Sequence, residues 1–275
     1  MKTDLKWHIR VNVKAAIARA YVRVVGTNRE FSWIFFDTLL PLLGTAAYVY
    51  IYRAMDAPEE YVGFVLLGGA MTAYWMNVLW NMASNFYFER QGWNLELYFI
   101  APISRMAILA GMAIGGMFMT TIRAGSLIVL GSLLFNVSFS VSSVPLVVLT
   151  FVLTLVALYG LGMLFSSLFL MYGREAWHTS NLLQEPVYLL TGFYFPVRAL
   201  GFYIAIAASI IPLTLGMDAV RQLVFSHLHF GLLPVHVEIA GLGVLGVGLL
   251  YAAGVALERM ERAAKKEGRL TLRWQ

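Results

Sequence analysis

Cysteine is absent from this 275-residue chain. That excludes a disulfide framework, thiol catalysis and cysteine-ligated metal. Charge is scarce as well: Asp, Glu, Lys and Arg make up 13% of residues, about half the quarter usual in a soluble domain. Apolar residues make up 60% and the mean hydropathy is +0.72, the composition of a chain whose main solvent is lipid. Phosphate-cradling and hydrolytic motifs are missing too. There is no G-x-x-x-x-G-K-[ST], G-x-S-x-G or H-E-x-x-H, so this sequence offers neither a P-loop nor those catalytic sites. Gly241, Gly243 and Gly246 match G-x-G-x-x-G but lie inside an apolar run with no preceding strand. They read as close helix packing, as do Gly111 and Gly115. The five histidines lack carboxylates at metal-ligand spacing, so no metal site is expected. The first thirty residues show no apolar core after a short basic start and do not read as a secretion signal.

What is present is a set of long apolar runs. A bilayer core of about 30 Å takes roughly 20 helical residues to cross. Six stretches qualify, near Phe31–Tyr52, Tyr61–Phe86, Met106–Phe135, Val144–Phe169, Trp177–Phe195 and Val235–Leu257. The runs are too long and uniform for barrel strands, so an all-α polytopic membrane protein with six transmembrane helices is expected. Residues 1–275 read as one membrane domain: a lead-in at 1–30, the helices at 31–257 and a basic tail at 258–275.

Lys and Arg orient it. Seven lie in the first thirty residues, six in the tail, and Arg90, Arg105 and Arg174 in the even-numbered loops; only Arg53, Arg198 and Arg221 fall on the other side. Both termini are therefore expected in the cytoplasm. Residues 6–25 place Trp7, Val11, Ala15, Ala18, Val22 and Val25 at helical spacing beside Lys6, Arg10 and Lys14, which predicts a basic amphipathic helix on the inner leaflet. On the outer side, 202–216 is too short to cross and too apolar for water, which predicts a re-entrant hairpin within 197–216, broken near Pro212.

Ionisable groups within spans are costly and draw attention. Asp37 reads either as a path residue or as a wet interfacial one. Arg123 suits an ion pair with an acid on another span. Glu238 sits near the outer interface. Asp218 and Arg221 are spaced to meet on one helix face. Asn77, Asn81 and Asn85 share a four-residue stripe that fits either interhelical hydrogen bonding or a polar path.

The segment FERQGWNLELYFIAPISR, 88–105, is charged and apolar at once. Asn94 can cap a two-turn helix, Glu96 suits its first turn, and Pro102 limits its end. Leu95, Leu97, Tyr98 and Ile100 are then available for packing.

Glu89-Arg90, Asn94-Leu95-Glu96 and Ala101-Pro102-Ile103-Ser104-Arg105 resemble the cytoplasmic loop of type-2 (ABC-2) exporter permeases, with Trp93 at the family's Gly and Asn94 at its Thr. Asn181, Pro186, Gly192, Phe193-Tyr194-Phe195-Pro196, Pro212-Leu213-Thr214, Asp218 and Arg221 resemble the same family's fifth span and outer hairpin, with Leu215 at a common Tyr and Gly201 at a common Pro. The resemblance implies the permease subunit of an ATP-driven exporter of a drug, lipid or lipid-linked glycan in the bacterial inner membrane. It implies a coupling helix between spans two and three, with Glu89, Arg90, Trp93, Asn94, Leu95 and Glu96 at an ATPase partner. It also implies a path near Asp37, Asn77, Asn81, Gln184 and Glu185, and an outer gate at Phe193, Tyr194, Phe195, Pro196, Asp218 and Arg221. Partners would be ATP-binding-cassette subunits, a second permease copy and lipid, with no nucleic acid. No cofactor would bind this chain, ATP and Mg residing in the ATPase. A channel, a secondary transporter or an intramembrane lipid-modifying enzyme are the rival readings; none shows the symmetric broken spans or grouped catalytic residues it needs.

Overall fold

The computed structural model describes residues 5–28, 31–92, 94–172, 174–225 and 231–266. Among them the chain is helical, with no strand beyond one isolated bridge between Ser140 and Phe225. The helices are α1 (Leu5–Asn28), α2 (Phe31–Ala54), α3 (Glu60–Met76), α4 (Asn85–Gln91), α5 (Asn94–Ile100), α6 (Arg105–Phe135), α7 (Val144–Tyr172), α8 (Arg174–Thr191), α9 (Phe202–Ala208), α10 (Pro212–Val224) and α11 (Val235–Lys266).

Four of these are long and apolar enough to cross a bilayer: α3 with its continuation to Met82, α6, α7 and α11. Lipid-like side chains on every face leave the backbone no partner but itself, which makes helix the default. α3 is the central post, with 83% of its apolar window buried against 17% for α11. α11 therefore packs along α7 and shows most of its surface outward. The expected first and fifth spans coincide with α2 and α8. α8 is the more polar of the two, carrying Arg174, Glu175, Gln184 and Glu185, while α2 is apolar up to Tyr48, Tyr50 and Tyr52 near its end.

Two local features place the polar residues of the bundle. α3 runs into a π turn, Asn77–Met82, in which Ala83 N–H reaches back five residues to Val78 O at 2.9 Å. The π turn takes more residues per revolution than an α-helix. The expected asparagine stripe is broken by it: Asn77 and Asn81 remain together, while Asn85 starts α4 and is buried elsewhere. In the segment after α8, α9 and α10 meet at 113° across a short break with Pro212 opening α10. α10 is buried along nearly its whole length and α9 is largely exposed.

α1 lies beside α6 and runs in the same direction. Asn12 Oδ1 accepts from Ser104 N at 2.7 Å, Ala16 and Arg19 oppose Gly111, and Ala20 and Arg23 oppose Gly115. A Cβ on Gly111 would overlap the Ala16 backbone, so the glycines allow this approach. The predicted apolar stripe is only partly the packed face. Val11, Ala15 and Val25 are half-buried, whereas Trp7, Ala18 and Val22 are exposed. A second line, Leu5, Ile9, Val13, Ile17 and Tyr21, faces outward at four-residue spacing. Small and polar residues dock the helix on the protein and its apolar residues are left for another medium.

Candidate functional site

The segment 88–105 folds as α4, a turn and α5, the two-turn helix expected, ending before Pro102. Its apolar residues divide. Leu95 is 1% exposed and Tyr98 and Phe99 are half-buried, but Leu97 and Ile100 are 63% and 82% exposed. Glu89 points inward. It forms an ion pair with Arg19 of α1 and accepts a hydrogen bond from Tyr98 Oη at 3.2 Å, while the Arg19 guanidinium lies 5.8 Å from the Tyr98 ring. Glu89 thus joins α4, α5 and α1 rather than facing out. On the far side Glu261 of α11 pairs with Arg105 at 3.0 Å and Lys265 at 2.6 Å, and both cations flank the Phe99 ring. Two helices remote in sequence, α1 and α11, therefore hold this segment. Asn94 is exposed; the side chains of Arg90 and Glu96, and Trp93 altogether, lie outside the described residues.

A cavity of about 590 Å³ opens between α1, α2, α3, α6 and α8. Asn77 and Asn81 line it with Trp80, because the π turn brings all three to one side. Asn77 Oδ1 is fixed by the Tyr159 hydroxyl at 2.9 Å. Opposite stand Arg23 of α1 and Arg123 of α6, and Tyr188 and Tyr194 close the upper end. Burial pushes the Arg23 guanidinium below its ordinary pKa; the nearby Arg19 and Arg123 charges push the same way, against an opposing pull from Tyr159. Phe36, Leu40 and Asn81 are exposed and mark the mouth. Gln184 sits at the rim, accepting from Trp80 Nε1 at 3.2 Å, and Glu185 is exposed beside it. The Asp37 side chain lies outside the described residues; its backbone is on α2 between the lining residues Phe36 and Leu40.

Above the cavity, the loop after α8 turns at Gly192, whose φ of 63° favours glycine and where a Cβ would sit 2.7 Å from Phe195 O. Tyr194 stacks on Tyr48 at 3.8 Å and its carbonyl accepts from Tyr52 Oη at 2.8 Å. Phe193 is fully buried, and Phe195 and Pro196 are half-buried. Arg221 holds this loop: its guanidinium donates to Gly192 O at 2.7 Å, Phe193 O at 2.5 Å and Phe64 O at 3.1 Å, over the Phe64 ring. Asp218 does not pair with it. Asp218 Oδ2 instead accepts from Leu232 N at 2.7 Å and Gln222 Nε2 at 3.1 Å, and the same amide reaches Glu238 Oε2 at 3.1 Å. The i,i+3 spacing permitted a pair, but the two terminal nitrogens of Arg221 are turned to the three carbonyls instead. Glu238, expected at a bland interface, is fully buried in this network.

A family model for the ABC-2 type transporter matches residues 12–225, from α1 through α10. The chain belongs to that family. No curated protein matches it. The ABC-2 chain is a multi-pass membrane protein, the permease component of an ABC transporter, and its family works with ABC ATPase partners that do the hydrolysis. The matched range contains both the 88–105 segment and the loop held by Arg221. Sequence reasoning passed over the cavity's cationic wall, because Arg23 and Arg123 are a hundred residues apart and only tertiary packing joins them.

Proposed function

We propose that this ABC-2 permease exports an amphipathic substrate, a drug, lipid or lipid-linked glycan, from the cytoplasm or inner leaflet of a bacterial inner membrane. Six helices cross, α2 and α8 included, with both termini cytoplasmic, and two permease copies, or one and a close relative, face each other at the cavity mouth. α1 lies at the inner leaflet, its outward apolar line in the acyl region. α5 is the coupling helix of a separate ATP-binding subunit, with Asn94 and Glu96 at that contact beside Arg90 and Trp93, while Leu95, expected there too, is buried against the bundle instead. The path runs past Asp37, Asn77, Asn81, Gln184 and Glu185, and the α9–α10 hairpin with Phe193–Pro196 forms the outer gate, braced by Asp218 and Arg221.

The observation that carries this is the divided face of α5. Leu95 anchors it to the bundle while Leu97 and Ile100 stand exposed, and ties to α1, α6 and α11 surround it. Motion imposed on the outward face would reach three helices at once. Leu97→Asp and Ile100→Asp leave the buried side intact, and Glu96→Arg reverses a charge in the first turn. Each is expected to lower ATPase association and substrate-stimulated ATP turnover about tenfold or more, as loss of an interface anchor does. Unchanged turnover in all three, or transport by the purified chain without nucleotide, sinks the reading.

A further inference from the structure

We infer that a second, apolar cavity between α3, α6, α7 and α10 takes up one acyl chain of a membrane phospholipid. α6 and α7 follow one another in the chain but scarcely touch: α6 packs chiefly on α1 and α3, and α7 on α11 and α10. The seam between them is left open over about 230 Å³, with Met71 of α3 and Met217 of α10 in its lining. It shares none of its described lining residues with the larger cavity. Gly125 of α6 is an independent sign of the space. It is half-buried and lines the seam, yet a Cβ added there would meet no atom within 4 Å.

The lining selects hydrocarbon. Tyr74 Oη donates to Thr121 Oγ1 at 2.8 Å, and Thr121 Oγ1 donates to Met117 O at 2.7 Å, so both hydroxyls are already engaged. Arg221 is the only charged residue in the described lining. Its terminal nitrogens are turned to backbone carbonyls, and its Nε is the one buried side-chain donor left over. A polar headgroup placed here would lose its water for little in return. Apolar cavities of about 150 Å³ stay dry and take up benzene, and this one is larger. Its place decides the source of the chain. α6 and α7 are both long and apolar enough to cross a bilayer, and Ile122 and Val129 on one and Val148 and Val152 on the other are exposed. The seam therefore opens among lipid tails, at a concentration no dissolved ligand reaches. The second permease copy proposed above sits at the mouth near Phe36 and Leu40, which leaves this seam to lipid. The inference rests on the membrane reading of these helices and not on export. A chain in the seam touches α6, α7 and α10 together, so its binding favours the hairpin position seen here.

The test is photolabelling of the purified full chain, in neutral detergent, by phosphatidylcholine with a diazirine midway along one acyl chain, mapped by peptide mass. Label is expected at Met71 and Met217, which are buried from lipid that merely coats the surface, as well as at the exposed Val129 and Val148. Gly125→Leu fills the seam with a side chain that has room there and suits a helix better than glycine. It should cut the label at Met71 and Met217 roughly tenfold, spare Val129 and Val148, and keep or raise the thermal midpoint. Val147→Phe, from the α7 wall, gives the same readout should Gly125→Leu not fold. The proposal is overturned by label confined to Val129 and Val148 in the native chain, or by label at Met71 and Met217 that survives both variants. It is also overturned if equimolar toluene removes the buried label, which would make this a site for a small apolar solute. Efficient disulfide formation between two copies carrying Val148→Cys would overturn it too, by making the occupant a second copy. Failure of any ATPase to associate would instead overturn the exporter reading and leave the labelling unaffected.

Discussion

Arg221 shows how much one side chain decides. Its three carbonyl acceptors come from two segments, Gly192–Phe193 and Phe64, and its guanidinium bridges them. Orphaning buried acceptors costs about 1–3 kcal/mol each. Arg221→Leu is therefore expected to destabilise the protein by about 3 kcal/mol or more, seen as earlier thermal unfolding in detergent. Arg221→Lys should recover only part of this, because an ammonium cannot span three acceptors as a planar fork does. A fully stable Arg221→Leu would show that the loop is held by the Tyr48 and Tyr52 contacts to Tyr194 and by burial of Phe193 instead. Sequence reading singled out Arg221 but supplied the wrong partner, since spacing on one helix shows which residues are able to meet and not what else competes.

Among the elements, α1 and the 88–105 segment behave as one unit. Arg19 and Glu89 are 21% and 9% exposed, so their ion pair is shielded enough to count. A double-mutant cycle of Arg19→Gln and Glu89→Gln should give a coupling energy of about 1–3 kcal/mol. The matching steric test is Gly115→Leu. Even its Cβ would sit 2.9 Å from Arg23 Cβ and 3.0 Å from Ala20 O, so α1 must shift. Faster hydrogen exchange across residues 12–25 is the expected outcome, and unaltered exchange would count against the docking of α1 on α6. The two-turn helix of this segment was legible from its apolar spacing and from Pro102, which act over a few residues, although it begins at Asn94 rather than after it. The inward turn of Glu89 was not, because its partner lies seventy positions away.

Across the whole molecule, the lack of cysteine makes topology directly measurable, since each introduced thiol is unique. Ala57→Cys, in the turn between α2 and α3, should react with an impermeant maleimide on intact cells; Pro102→Cys should react only after permeabilisation. Labelling of position 102 from outside would reverse the orientation and place the α5 face away from any ATPase. The same scan through α2 and α8 tells whether these two helices cross.

Composition and hydropathy by themselves determined that this is a helical membrane protein, where its long helices run and where the short helix after Trp93 falls, because periodicity, capping and breakers act locally. Tertiary structure decided which faces look inward, how the π turn regroups Asn77 and Asn81, and that Arg23 and Arg123 share a cavity. The physical reason is that lipid and protein interior are similarly apolar. A membrane helix carries little hydrophobic contrast between its packed and exposed sides, so pairing is written in small residues and buried polar contacts between distant segments, visible only once the chain is folded.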